Sequence, residues 1–215
     1  MSWLSNHAFN AALTGMSELH RLRRCCRDCP SDVCQDATCL NVLMQDQDTW
    51  GGVYAADKLP TPQQSSTTIL SYIVNSAPAS SKGEHWLAIR LLPDTVEFFD
   101  SYGQAPWHYP LLYTWIKEAM KENRRRRLLY YRQRIQGSHA YCGAYCFYFL
   151  CERPYARSFY ATLYDNPRYV FTSLDANVAD AELIQSYLSL NDRFVFDYLH
   201  HHAQGLLSMF NDDNK

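Results

Sequence analysis

The chain has 215 residues, of which 47% are hydrophobic, 14% aromatic and 20% charged. That is enough apolar side chain to close one sizeable core, and it carries too many aromatics and too little charge for an intrinsically disordered segment. Twenty Lys and Arg against 22 Asp and Glu leave a net charge of -2, which argues on global charge against a histone-like or nucleic-acid-coating role.

No stretch reaches the ~20 apolar residues of a membrane span, the best being Ala144 to Cys151. Met1 to Leu22 lacks a basic leader before an apolar run, so a soluble, non-secreted chain is expected. In a reducing compartment its eight Cys read as thiols, ligands or a nucleophile rather than a disulfide framework.

Residues 1–49 are polar and Cys-rich, with Arg21, Arg23, Arg24 and Arg27 beside Cys25, Cys26 and Cys29. They read as an N-terminal appendage with short helices, and residues 50–215 as the main domain. Cys26, Cys29, Cys34 and Cys39 are four thiols in reach of one zinc ion, but the second spacing is loose for a zinc knuckle, so no metal is assigned. Gly52 to Pro60 reads as an extended lead-in and a turn, and Gln63 to Thr68 as a loop. Trp86 to Leu92, closed by Pro93-Asp94, and Val96 to Phe99 predict a hairpin with a buried face.

After Pro110, the residues Leu111, Leu112, Trp115, Ile116 and Ala119 recur at helical spacing. A basic run follows: Lys117, Lys121, Arg124, Arg125, Arg126, Arg127, Arg132 and Arg134 face only Glu118 and Glu122 in that segment. A solvated face is its default reading. Leu128 to Tyr131 predicts a third strand. Cys142 to Cys151 is apolar on all sides, which suits a helix buried through the middle of the domain. Asn191-Asp192 resembles an N-cap before Phe194, Val195, Tyr198 and Leu199. The order of elements predicts an α+β domain, a central helix packed on a mixed sheet.

Chemistry concentrates around that central helix. A Cys in the first helical turn sees the positive end of the macrodipole and unsatisfied backbone N–H groups, which together stabilise a thiolate, so Cys142 is the candidate nucleophile. A thiolate needs a base near neutral pH, held by a carboxylate. His85 precedes the first strand of the hairpin and Asp100 follows the second, so the two fall at neighbouring strand ends. Asp94 and Glu97 are the rival carboxylates, and Asp100 also suits a turn before Ser-Tyr-Gly. Gln136, six residues before Cys142, offers a side-chain N–H as an oxyanion donor, with the Cys142 amide as the second. His139 is ranked as a loop residue, and Cys146 and Cys151 as packing.

The order His85-Trp86, Phe99-Asp100-Ser101-Tyr102-Gly103, then Gln136 through Cys142-Gly143 resembles the adenain-like cysteine proteases and, more distantly, the SUMO-specific proteases. The resemblance spans about Gly52 to Cys151. Its lead-in at Gly52 to Pro60 and its Asn191-Asp192-Arg193 segment are similar to those of proteases from adenovirus-related viruses and Polinton/Maverick elements. The resemblance implies a papain-like fold of the adenain type, with Cys142, His85, Asp100 and Gln136 catalytic and Trp86 lining the substrate cleft. It further implies an endopeptidase that processes viral or element-encoded precursors at Gly-containing sites, in the host nucleus or cytoplasm or within the virion. Asp rather than Glu at position 100 and the short Gln-to-Cys step lean toward the SUMO-protease pattern, which leaves a protease for ubiquitin-like modifiers as an alternative. A catalytically idle binding module on the same fold is a third. No cofactor is required, but the family's activation by DNA and by a viral peptide makes Arg124, Arg125, Arg126 and Arg127 a candidate DNA contact.

Overall fold

Alternation of apolar side chains builds one five-stranded sheet: β1 Trp50–Ala55, β2 Leu70–Asn75, β3 Trp86–Leu91, β4 Thr95–Phe99 and β5 Arg127–Tyr130, lying side by side in chain order. The computed structural model describes residues 36–62, 69–124, 126–130, 132, 134–137, 141–152 and 180–212, with backbone only for 152, 180–187 and 206–212. The inner pairings, β2 with β3 and β3 with β4, are antiparallel, and the outer two, β1 with β2 and β4 with β5, are parallel. The sheet is therefore mixed. Gly52, at φ 120, sits where the β1 register shifts, a backbone geometry that L side chains rarely adopt.

The two faces of the sheet bury different partners. Leu87, Ile89 and Leu91 alternate on β3 and meet Val74, Val96 and Phe98 on one face, covered by α2. That helix, Pro110–Glu122, crosses over between the parallel strands β4 and β5, and Leu112, Trp115, Ile116 and Ala119 form its buried stripe. On the opposite face Ile73, Ala88 and Phe99 pack under α1 (Ala37–Met44), α3 (Cys142–Glu152) and α4 (Asp180–Asp212). Every described residue of α3 from 143 to 151 is buried, so this helix is the spine of the domain. Phe99 stacks on Phe149 of α3 with ring centroids 4.5 Å apart and planes 6° off parallel.

The expected hairpin, central helix and α+β class are all present. β2 is an addition: Leu70 to Asn75 follows a polar loop, and its run of Tyr72, Ile73 and Val74 carried the β-favouring signal. The loop expected over 63–68 lies outside the described residues, as do Cys25, Cys26, Cys29 and Cys34. Cys39 is buried in α1, whose cap is the Asp36 carboxylate accepting from the Cys39 N–H at 2.8 Å. Leu40, Leu43 and Met44 of α1 belong to the same core as α3, and Asn41 accepts from the Trp50 indole at 3.0 Å. Packing therefore runs across the boundary expected at 49 and 50.

Two further expectations are corrected. Asn191 and Asp192 are not an N-cap: α4 starts at Asp180, and Leu188, Val195, Leu199 and Ala203 make a continuous buried stripe through them. Their side chains reach other elements instead of their own helix. Arg126 is no DNA contact either. It is 3% exposed, its Nε donates to the Leu92 carbonyl at 3.0 Å and its guanidinium to the Ala119 carbonyl at 3.1 Å, where a cation suits the C-terminal end of α2. Arg124 and Arg127 are exposed, and Arg125 lies outside the described residues. The basic run is thus split between a structural clamp and solvated cations.

Arg90 on β3 and Glu97 on β4 face each other in register and pair at 2.8 Å, with side chains only 8% and 5% exposed. Glu97→Ala leaves a buried guanidinium without that partner and is expected to lower stability by about 3–5 kcal/mol in denaturant unfolding. Replacing both residues by apolar ones, Arg90→Met with Glu97→Leu, should recover most of that loss.

Candidate active site

The site starts from the segment that leads into β3. Asn75, at the end of β2, accepts the backbone N–H groups of Ala77 and Glu84 on its Oδ1, at 3.0 and 3.2 Å. The Ser76 N–H donates to the His85 carbonyl at 2.8 Å. A Cβ on Gly83 would come within 2.6 Å of the Asn75 amide, so the close approach of these chains requires glycine there. His85 is thereby pinned just before β3 opens.

Asp100 ends β4 beside it. Its side chain is fully buried, and each carboxylate oxygen takes two donors. Oδ1 accepts from His85 Nε2 at 2.7 Å and from the Tyr102 N–H at 2.9 Å. Oδ2 accepts from the Tyr109 hydroxyl at 2.8 Å and the Gln104 N–H at 3.1 Å. Of the three candidate carboxylates, the structure brings Asp100 to His85, while Glu97 pairs with Arg90 and Asp94 sits at the hairpin tip, its carbonyl accepting from the Arg127 N–H.

Cys142 lies close enough to the imidazole to act on its protonation. Burial is the largest influence on His85 and disfavours its charge, but the hydrogen bonds to Asp100 and Cys142 and the charges of both outweigh it, pushing the pKa up to about 9. Cys142 is half-buried and is the first residue of α3. Cys146, one turn further on, is wholly buried, which holds its thiol well above the ordinary range and leaves it to packing. Cys151 meets Met44 at 3.9 Å in the core.

Gln136 is buried in the loop before α3. Its Oε1 accepts from the Ser101 hydroxyl at 2.5 Å, which orients the amide so that Nε2 donates to the Tyr102 hydroxyl at 3.2 Å. The loop itself is held on all sides. Arg134 donates to the carbonyls of Gln136 and Gly137, both at 2.8 Å, and Asp192 of α4 accepts the Gly137 N–H at 2.9 Å. Tyr145 of α3 shares its hydroxyl between the Ile135 carbonyl and Asp192, and Asn191 donates to the same carbonyl at 3.2 Å. A Cβ on Gly137 would lie 2.6 Å from Asp192 Oδ2, so glycine is needed for the loop to seat. Trp86 is half-buried against the α3 side of the sheet. His139 lies outside the described residues.

Sequence reasoning missed Tyr109, Ser101, Tyr102, Arg134, Tyr145 and the role of Asp192. The rings of Tyr102 and Tyr109 lie 4.9 and 6.4 Å from that of His85 at interplanar angles near 30°. Burial, then the Asp100 charge, raises the Tyr109 phenol so that it remains a donor. Burial first and the charge at Cys142 second raise that of Tyr102. Among the described residues no cluster of three or more His, Cys, Asp or Glu forms a metal site, and no helix is long and apolar enough to cross a membrane.

The sequence matches no protein-family model and no curated protein. Among solved structures the chain is similar to the ASFV pS273R protease, with a TM-score of 0.44 and 13% identity over 72% of this chain and 64% of that one. It is also similar to the SUMO protease Ulp1, at 0.37 and 14% over 82% and 84% of the two chains. A third is ChlaDub1 from Chlamydia trachomatis, at 0.33 and 12% over 64% and 60%. The match spans less than two thirds of the length of the ASFV protease. Identities this low reach no further than the fold.

Asp100→Asn removes the charge and alters the hydrogen bond that raise the His85 pKa. With burial then less opposed, the His85 titration read by NMR, expected at about pH 9 in the wild type, should move down by roughly a unit or more. An unshifted His85 titration would show that Asp100 does not hold the proton on the ring. Asp192→Ala leaves the Gly137 N–H and the Tyr145 hydroxyl without a shared buried acceptor, so roughly 2 kcal/mol of stability should be lost in denaturant unfolding.

Proposed function

We propose that this chain is a cysteine protease that cuts polypeptides by acyl transfer through Cys142. The observation that carries this reading is the imidazole of His85, bound on one edge to a saturated carboxylate and close to the Cys142 thiol that opens a buried helix. The high His85 pKa supports a ring able to hold the proton that the Cys142 thiol gives up on attack until the leaving group takes it.

In the first half-reaction the Cys142 sulfur attacks the scissile carbonyl carbon. A C–S bond forms and the carbonyl electron pair moves onto oxygen, where the Gln136 side-chain amide and the Cys142 backbone N–H stabilise it. The intermediate collapses, the C–N bond breaks, and the proton on His85 goes to the departing amine. Water then attacks the thioester while His85 takes its proton. The C–S bond breaks and the new carboxyl terminus leaves.

As the substrate class we propose precursor proteins cut beside glycine. The bulk of Trp86 directly after the base supports a narrow cleft that favours a residue without a side chain. Substituting Val for Gly next to the cut bond should suppress cleavage by more than tenfold, and equal rates for the two peptides would remove this preference.

Cys142→Ala deletes one half-exposed thiol, so the fold should survive with a change under about 1 kcal/mol, while peptide cleavage should drop below detection. Retained cleavage in that variant overturns the assignment. Incubating the wild type with a precursor polyprotein and, separately, with a ubiquitin-like fusion reads out which substrate it takes.

A further inference from the structure

Tyr102 holds a hydroxyl that the reaction above leaves unused. Its backbone is locked to the site, since its N–H donates to Asp100 at 2.9 Å, and its ring lies 4.9 Å from the His85 ring with the Arg134 guanidinium 5.4 Å from its centroid. A phenylalanine would make the same ring contacts. What tyrosine adds is the oxygen, and that oxygen accepts the Gln136 amide N–H at 3.2 Å.

The phenol's own proton is the informative atom. Gln136 Oε1 is occupied by the Ser101 hydroxyl, and both Asp100 oxygens carry two donors each, so neither takes it. Arg134 has no acceptor to offer. Among the described residues the Tyr102 hydroxyl donates to no protein acceptor. Its oxygen is placed by the Gln136 amide and its ring by His85, and Cys142 is near enough to act electrostatically on both His85 and Tyr102.

We propose that Tyr102 is a further catalytic residue, whose hydroxyl donates a hydrogen bond to the scissile carbonyl oxygen as that oxygen becomes negative, beside the Gln136 amide. The proposal rests on Cys142 being the nucleophile. Tyr102 keeps its proton throughout, so no covalent bond to it forms or breaks, and its raised pKa suits a donor that stays protonated at neutral pH. Ser101, Gln136 and Tyr102 then form a chain of donors in which each hydroxyl or amide polarises the next toward the oxyanion.

The test is Tyr102→Phe in the full chain, which removes the oxygen and keeps the ring on His85. Three readouts are compared with the wild type: turnover of a cleaved Gly-containing peptide, alkylation of Cys142 by iodoacetamide, and protection of Cys142 from alkylation by a peptide aldehyde, whose thiol adduct places its oxygen in the same position. Expected are a kcat lower by roughly 10- to 100-fold with KM within about threefold, weaker protection by the aldehyde, and an unchanged alkylation rate and pH profile, since alkylation develops no oxyanion. A kcat within about twofold of wild type, or aldehyde protection as strong as wild type, overturns the proposal. So does an alkylation profile that shifts with the mutation, because the hydroxyl then acts on the thiolate. Cleavage that persists in Cys142→Ala, or a wild-type Cys142 that does not alkylate, overturns the protease reading and this proposal together, whereas failure of Tyr102→Phe alone leaves the protease reading standing.

Discussion

A carboxylate with no exposed surface is the constraint around which the site is arranged. Burying Asp100 without partners would cost several kcal/mol, so the fold supplies four donors, two to each oxygen. Four bonds in different directions over-determine where the carboxylate points. His85 is then held at one angle, and its free edge is held toward Cys142. Two of the donors are backbone N–H groups of the turn that follows β4, so the turn and the carboxylate fix each other. The fourth, the Tyr109 hydroxyl, comes from the residue that starts α2, which ties the helix on one face of the sheet to chemistry at the sheet's end.

The same bond network explains why His85 is not an ordinary histidine. Burial alone would strip the proton from His85, and the hydrogen bonds and charges of Asp100 and Cys142 together reverse that tendency. In the proposed reaction that raised pKa suits a ring that holds a proton until the leaving amine takes it.

How much of this was legible depended on sequence distance. The hairpin was readable because its strands are apolar runs closed by Pro93-Asp94, and its register alone brings His85 and Asp100 to neighbouring ends. Cys142 was readable because an all-apolar run behind it marks a buried helix. By contrast, the bond from Tyr109 to Asp100 depends on how α2 docks, and the bond from Asp192 to Gly137 joins residues 55 apart through the packing of α4. No local pattern carries such contacts. Asn191-Asp192 was misread for a definite reason: side chains that cap helices are also short polar groups able to reach another segment, and only the position of α4 decides between the two. Arg126 was misread likewise, since a run of four arginines does not say which of them turns inward.

The contact between Asp192 and Gly137 also bears on the order in which the site comes into being on the ribosome. His85 and Asp100 meet through a hairpin that closes locally, and Cys142 arrives some forty residues later with α3. The loop that carries Gln136 gets its last anchors only when residues 191 and 192 have been made and α4 has docked. A nascent chain that has already brought His85, Asp100 and Cys142 together thus still lacks the α4 anchors of the Gln136 loop. In the proposed reaction the oxyanion donor on that loop is therefore fully anchored only once α4 has packed.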